Sequence, residues 1–198
     1  PESPLKPQKL LKELRELLPR NAILTTEVGQ NQMWSAIYFK VYHPRTFLSS
    51  GGLGTMGFGF PAALGAKVAC PDIPVVTVAG DGSFLMNEHE LATSVKEGIP
   101  VVVVILDNRV LGMVAQWQRV LYRRRYSEVQ LGNTPDFVKL AEAYGAFGLR
   151  AESSEEFRKS MKEALKSDVT TVIDVPISSE EDVEPLFLPR GIVMDSIG

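Results

Sequence analysis

Apolar positions repeat at helical spacing near the start of the chain, where Leu10, Leu11, Leu14, Leu17 and Leu18 share one face until Pro19 interrupts the pattern. The period then changes. Ala22 to Thr25 reads as a short buried strand, and three longer β-branched runs follow at Val75 to Ala79, Val101 to Leu106 and Thr170 to Val175. Helical patterns separate these runs, with little of the Gly and Asn chemistry that closes hairpins. Such alternation predicts an α/β fold, a doubly wound parallel sheet with helices on both faces.

Helix starts carry their own marks. Asn87 with Glu90 makes a capping pair, Thr134 precedes Pro135 at a first helical position, and Ser153 precedes Glu155 and Glu156 in a first turn. These predict helices over 88–96, 135–144 and 154–166. Acidic residues with Pro185 and Pro189 break any period near the end, so 1–178 reads as one domain and 179–198 as a tail, either flexible or wrapped on a partner.

Composition narrows the function. With 198 residues and 44% apolar content the chain can bury one substantial core. A net charge of −3 gives no reason to expect nucleic acid or an anionic membrane, so a small-molecule site is expected. Cys70 is the single cysteine, which removes intrachain disulfides and cysteine-based clusters and fits a reducing compartment, with the cytoplasm as the expected location. The longest apolar run, 99–106, is too short to span a membrane, and the chain opens on Pro1 without a signal core. The expectation is a soluble piece of a longer protein.

The segment Val75 to Phe84 runs from a buried strand into Gly80-Asp81-Gly82-Ser83, which places Asp81 at the carboxyl end of a strand, where open α/β sheets bind ligands. Gly80 and Gly82 let the backbone approach an anion, Ser83 adds a hydroxyl, and the expected guest is a phosphate. Asp81 would repel a diphosphate unless a hard divalent cation lay between them, which makes Asp81 a metal ligand. The next strand ends in Asp107-Asn108, putting Asn108 27 positions after Asp81 at the same sheet edge with an amide oxygen to complete the shell. The plainer alternative is a surface turn with Asn108 as a strand-end cap.

Gly-Asp-Gly followed at this distance by an Asn after an apolar strand resembles the thiamine diphosphate enzymes. The resemblance implies Mg²⁺ held by Asp81, Asn108 and the main-chain carbonyl of Val110. The family's usual Asn-Asn is Asp107-Asn108 here. Gly51-Gly52-Leu53-Gly54-Thr55-Met56-Gly57 with Pro61-Ala62-Ala63 is similar to the acetolactate synthase family. That likeness implies hydrogen bonds from the Gly54 and Met56 backbone to the aminopyrimidine, with the Met56 side chain holding the cofactor bent. The same glycines read as Gly-x-Gly-x-x-Gly would instead suggest a dinucleotide-binding domain with Asp81 on the ribose.

Two more stretches sharpen the resemblance. Val28-Gly29-Gln30-Asn31-Gln32-Met33-Trp34 matches a family segment that approaches the diphosphate, with Asn31 in place of the usual His. Leu111-Gly112-Met113-Val114-Ala115-Gln116-Trp117-Gln118 matches a segment that implies cofactor contacts from Leu111, Gly112 and Met113, and a substrate pocket lined by Met113, Val114 and Trp117. As bare sequence these last residues are one face of an amphipathic helix. Arg123-Arg124-Arg125 reads as a solvated face, His43 and His89 as structural, and Glu27 stays unassigned.

The resemblance implies an acetolactate synthase catalytic subunit that decarboxylates pyruvate and joins the resulting carbanion to a second 2-oxo acid in branched-chain amino acid biosynthesis. No catalytic acid–base residue is expected here, because the family's activating Glu sits on a separate pyrimidine-binding domain. Little turnover is expected from this chain alone. Implied partners are that domain, a second copy in a homodimer or larger assembly, and a regulatory subunit. FAD would bind chiefly a middle domain outside these residues. Glyoxylate carboligase, sulfoacetaldehyde acetyltransferase and pyruvate oxidase share most of the motifs; the β subunits of 2-oxoacid oxidoreductases and a noncatalytic cofactor-binding module are further alternatives.

Overall fold

A computed structural model of the chain describes residues 4–185. Its elements follow in chain order: α1 Pro7–Leu17, β1 Ile23–Thr26, α2 Gln30–Tyr38, β2 Phe47–Ser49, α3 Gly59–Ala69, β3 Val75–Gly80, α4 Asp81–Phe84, α5 Glu90–Glu97, β4 Val102–Asp107, α6 Gly112–Leu121, α7 Phe137–Ala143, β5 Phe147–Arg150, α8 Ser154–Ala164 and β6 Thr171–Pro176. The strands form one parallel sheet in the order β2-β1-β3-β4-β6-β5.

Strand periodicity divides the core into two layers. Val76, Val78, Val102, Val104 and Leu106 face Leu10, Leu11 and Leu14 of α1, Trp34 of α2, and Phe157 and Met161 of α8. Val75, Ala79, Val103 and Ile105 face the other way, against Phe60 and Leu64 of α3, Leu91 of α5 and Phe137 of α7. Both faces are covered, which is why these strands read as unbroken apolar runs rather than alternating ones. Each buried Leu, Val or Phe contributes about 1.5–3 kcal/mol of transfer free energy.

The sheet order positions the site. From β1 the chain lays β2 on one side and β3 on the other, opening a crevice beyond the carboxyl ends of β1 and β3. Gly59 lets α3 close against this edge, since a Cβ there would lie 2.6 Å from both the Glu27 nitrogen and the Thr26 carbonyl carbon. Beneath the crevice Phe84 packs against Phe60 and Phe137, with ring centroids 5.6 and 6.0 Å apart.

Several expected boundaries move. The helix expected over 88–96 is α5 from Glu90, and Asn87 does not cap it: its amide donates to the Gly57 carbonyl at 2.8 Å, tying two loops together. The helix expected over 135–144 begins at Phe137, capped by the Asp136 carboxylate on the amides of Val138 and Lys139 rather than by Thr134. Ser153 caps α8 as expected, at 3.2 Å from the Glu156 amide, but the helix ends at Ala164 instead of 166. The short strands β2 and β5 had no sequence signal. Of the segment set apart as a tail, 186–198 lies outside the described residues. Its first part packs against α6, where Arg119 forms a forked pair with Asp182, at 2.6 Å from Nη2 to Oδ1, and Val183 is fully buried.

Candidate functional site

Three strand-to-helix turns converge on one cleft. It is lined by Gly29, Gln30 and Asn31 after β1, by Gly80, Asp81, Gly82 and Ser83 after β3, and by Asn108, Val110, Leu111, Gly112, Met113 and Val114 after β4, with Met56 reaching in from the loop before α3. The cleft measures about 560 Å³, counting solvent at its open mouth. Val28, Trp34 and Leu106 complete its lining. Every expected cofactor residue except Gly54 borders it. Gly54 is exposed on the 50–58 loop, and Trp117 is half-buried on α6 away from the lining.

Asp81 sits at the first position of α4, 1% exposed, with Oδ2 accepting the Arg109 N–H at 2.7 Å. Burial raises its pKa from 3.8 to about 7, helped by the hydrogen bond to and the charge of Asp107. Two carboxyl groups crowded together out of water cannot both ionise cheaply. Asp107 is itself 5% exposed, and its Oδ1 has no hydrogen-bond partner among the described residues. Behind it burial pushes Asp174 up to about 6, Asp107 adding to the effect and Arg150, at 2.8 Å, opposing it.

The loop after β4 is held in a set shape. Arg109 takes a positive φ of 60°, Leu131 N–H donates to the Arg109 carbonyl at 3.0 Å, and Leu111 N–H donates to Val129 at 2.8 Å. Asn108 Oδ1 accepts the Val110 N–H at 3.2 Å. The Val110 carbonyl accepts no hydrogen bond among the described residues.

Glu27 has a clear place that sequence reading left open. It is fully buried, and its carboxylate accepts the N–H groups of Gly57 at 2.7 Å and Phe60 at 3.0 Å, clamping the Met56 loop to the end of β1. Burial raises its pKa against those hydrogen bonds. Asp107 and Gln116 were likewise missed, because their importance lies in neighbours distant in sequence. His43 and His89 lie exposed outside the cleft, and Arg124 pairs with Glu180 at 3.0 Å on the surface.

The donor set fits a hard cation. Asp81 offers a buried carboxylate, Asn108 an amide oxygen and Val110 a carbonyl that accepts no hydrogen bond among the described residues, the oxygen chemistry that Mg²⁺ takes. No group of three or more His, Cys, Asp or Glu able to hold a metal occurs among the described residues, so such an ion would need ligand oxygens from its guest. Asn31, which borders the cleft, has a buried Oδ1 with no hydrogen-bond partner among the described residues. The dinucleotide reading fails on topology: the glycine run follows β2 and Asp81 follows β3, and β1 lies between those two strands. A dinucleotide motif needs them adjacent.

A parallel sheet with a cleft at its switch point and an Asp-and-Asn oxygen set is the arrangement of a cofactor-binding domain of the thiamine diphosphate type. Residues 27–175 match the family described as thiamine pyrophosphate enzyme, C-terminal TPP binding domain, and the chain belongs to that family. It is 53% identical over 196 residues to a probable acetolactate synthase large subunit of Methanocaldococcus jannaschii, covering 96% of this chain and 33% of the relative. It is 44% identical over 196 residues to the acetolactate synthase isozyme 3 large subunit of Escherichia coli, covering 98% and 34%. Among solved structures, a thiamine diphosphate-dependent 4-hydroxybenzoylformate decarboxylase of Rhodococcus jostii superposes with a TM-score of 0.82 at 30% identity, over 92% of this chain and 34% of that one. The chain spans about a third of the length of these relatives. No helix among the described residues is long and apolar enough to cross a membrane.

Proposed function

We propose that this chain is the diphosphate-anchoring domain of an acetolactate synthase catalytic subunit, acting on pyruvate and a second 2-oxo acid. The observation that carries the reading is the convergence of Asp81, Asn108 and Val110 in one cleft with Met56 and the 29–31 turn. Asp81, Asn108 and Val110 would hold Mg²⁺. Gly29, Gln30, Asn31, Gly80, Gly82 and Ser83 would surround the diphosphate, while Leu111, Gly112 and Met113 would flank the cofactor. Gly54 and Met56 would seat the pyrimidine through their backbone, the Met56 side chain supporting the bend. Met113, Val114 and Trp117 would form the wall facing substrate.

When bound, thiamine diphosphate supplies the nucleophile and electron sink for 2-oxo acid decarboxylation. This chain's part is positional: it anchors the charged end, excludes water from the Asp81 carboxylate, and holds the Met56 loop through Glu27. The activating acid–base group would come from a pyrimidine-binding domain of the same or a neighbouring subunit, in a homodimer or larger assembly. A regulatory subunit and FAD belong to the same proposal for the whole enzyme, which would work in the cytoplasm.

Calorimetric titration of the full 198-residue chain with thiamine diphosphate and Mg²⁺ tests the reading. Heat should appear with Mg²⁺ and vanish with chelator or in Asp81→Ala. Binding that survives either change, or heat with NADH instead, would sink the metal–diphosphate assignment.

A further inference from the structure

Gln116 lies on α6, 3% exposed, behind the cleft lining, of which its partner Gln30 is part. Its side-chain amide pairs with the main chain of Val183 as a strand neighbour would: Val183 N–H donates to Oε1 at 3.0 Å, and Nε2 donates to the Val183 carbonyl at 2.8 Å. This double pairing allows Gln116 only one amide orientation. Its Oε1 then also accepts Gln30 Nε2 at 2.9 Å, and Gln30 Nε2 donates its other hydrogen to the Glu181 carbonyl at 3.0 Å. Both donors of Gln30 are therefore committed away from the cleft. Its Oε1 is left facing Asn108, whose Nδ2 donates to it at 3.4 Å. Flipping Gln30 would set its oxygen against two other oxygens in a buried place, which costs the desolvation of unpaired groups.

We infer that Gln116 is a positioning residue for the metal site, acting through Gln30 on Asn108, and that residues 181–183 are part of this support. The inference rests on the proposed cation site and deepens it. With Nδ2 tied to Gln30 and Oδ1 touched by the Val110 N–H, the Asn108 amide is fixed, and the remaining lone pair of Oδ1 is free for a cation. The Gln30 side chain, in the turn that resembles a diphosphate-contacting segment, thus orients Asn108, and both of its amide hydrogens are taken within the protein. Partners that orient a metal ligand commonly contribute ten- to a hundredfold in affinity when removed.

Two measurements on the full chain test this. In the metal-free protein, Gln116→Met should move the side-chain amide NMR signals of Gln30 and Asn108 while leaving that of Asn87, which bonds elsewhere, in place; unmoved Asn108 signals overturn the coupling. In calorimetry with saturating thiamine diphosphate, Gln116→Met should raise the Mg²⁺ concentration for half-saturation about tenfold. The same substitution in an Asn108→Ala background should add nothing further, because the pathway already lacks its end point. An unchanged half-saturation, or an equal loss in the Asn108→Ala background, overturns the inference, since a merely structural role would act in both backgrounds. Gln30→Met should reproduce the effect, and it decides the question if Gln116→Met does not fold. Wild-type chain that shows no Mg²⁺-dependent heat defeats the proposed cofactor reading instead, and the NMR arm then judges the coupling alone.

Discussion

Asp81 is held out of water beside a second buried carboxyl group, so replacing it with Asn should stabilise the metal-free chain while destroying the site. Keeping the proton up to about 7 instead of 3.8 corresponds to roughly 4 kcal/mol of preference for the neutral form, at about 1.4 kcal/mol per pH unit. Part of that preference is repulsion from Asp107, which relaxes when either acid keeps its proton, so a gain of about 2 kcal/mol is expected at pH 8. The sign follows from proton binding. The folded state holds the Asp81 proton more tightly than the unfolded chain, so this group's stability contribution is full below about pH 4 and is lost as pH rises through about 7. Asn cannot ionise, so Asp81→Asn should exceed wild type by its full margin at pH 8 in chelator and by only about a quarter of that margin at pH 4.5. Urea unfolding at both pH values measures the difference, and thermal melts should show a shift of roughly 4–8 °C at the higher pH. A variant less stable than wild type at pH 8 without metal would refute the argument that burial strains this carboxylate.

Other perturbations probe separate parts of the molecule. A Cβ on Gly112 would overlap Gln30 Oε1 and come within 3.0 Å of Asn108 Nδ2, so Gly112→Ala should weaken Mg²⁺-dependent thiamine diphosphate binding by about tenfold; unchanged calorimetric affinity would count against the tight junction. Phe84→Ala removes a fully buried ring between Phe60 and Phe137 and should cost about 3–5 kcal/mol in denaturant unfolding. Asp136→Ala removes the cap of α7 and should lower the urea midpoint slightly, with no change in cofactor affinity.

The strands β1, β3, β4 and β6 and the parallel fold were legible because both faces of each strand are buried, which writes continuous apolar runs into the chain. The Gly-Asp-Gly turn and Asn108 were legible because a tight turn and an oxygen ligand each demand particular residue types. What local sequence could not supply was adjacency. Only the strand order β2-β1-β3 separates the glycine run from Asp81 and removes the dinucleotide alternative. Only packing brings the Glu27 carboxylate to the Gly57 and Phe60 amides, crowds Asp107 against Asp81, and joins Gln116 to Gln30 across 86 positions. Residue type and period are encoded locally, whereas the energy of a buried charge or amide depends on partners that only the folded chain assembles.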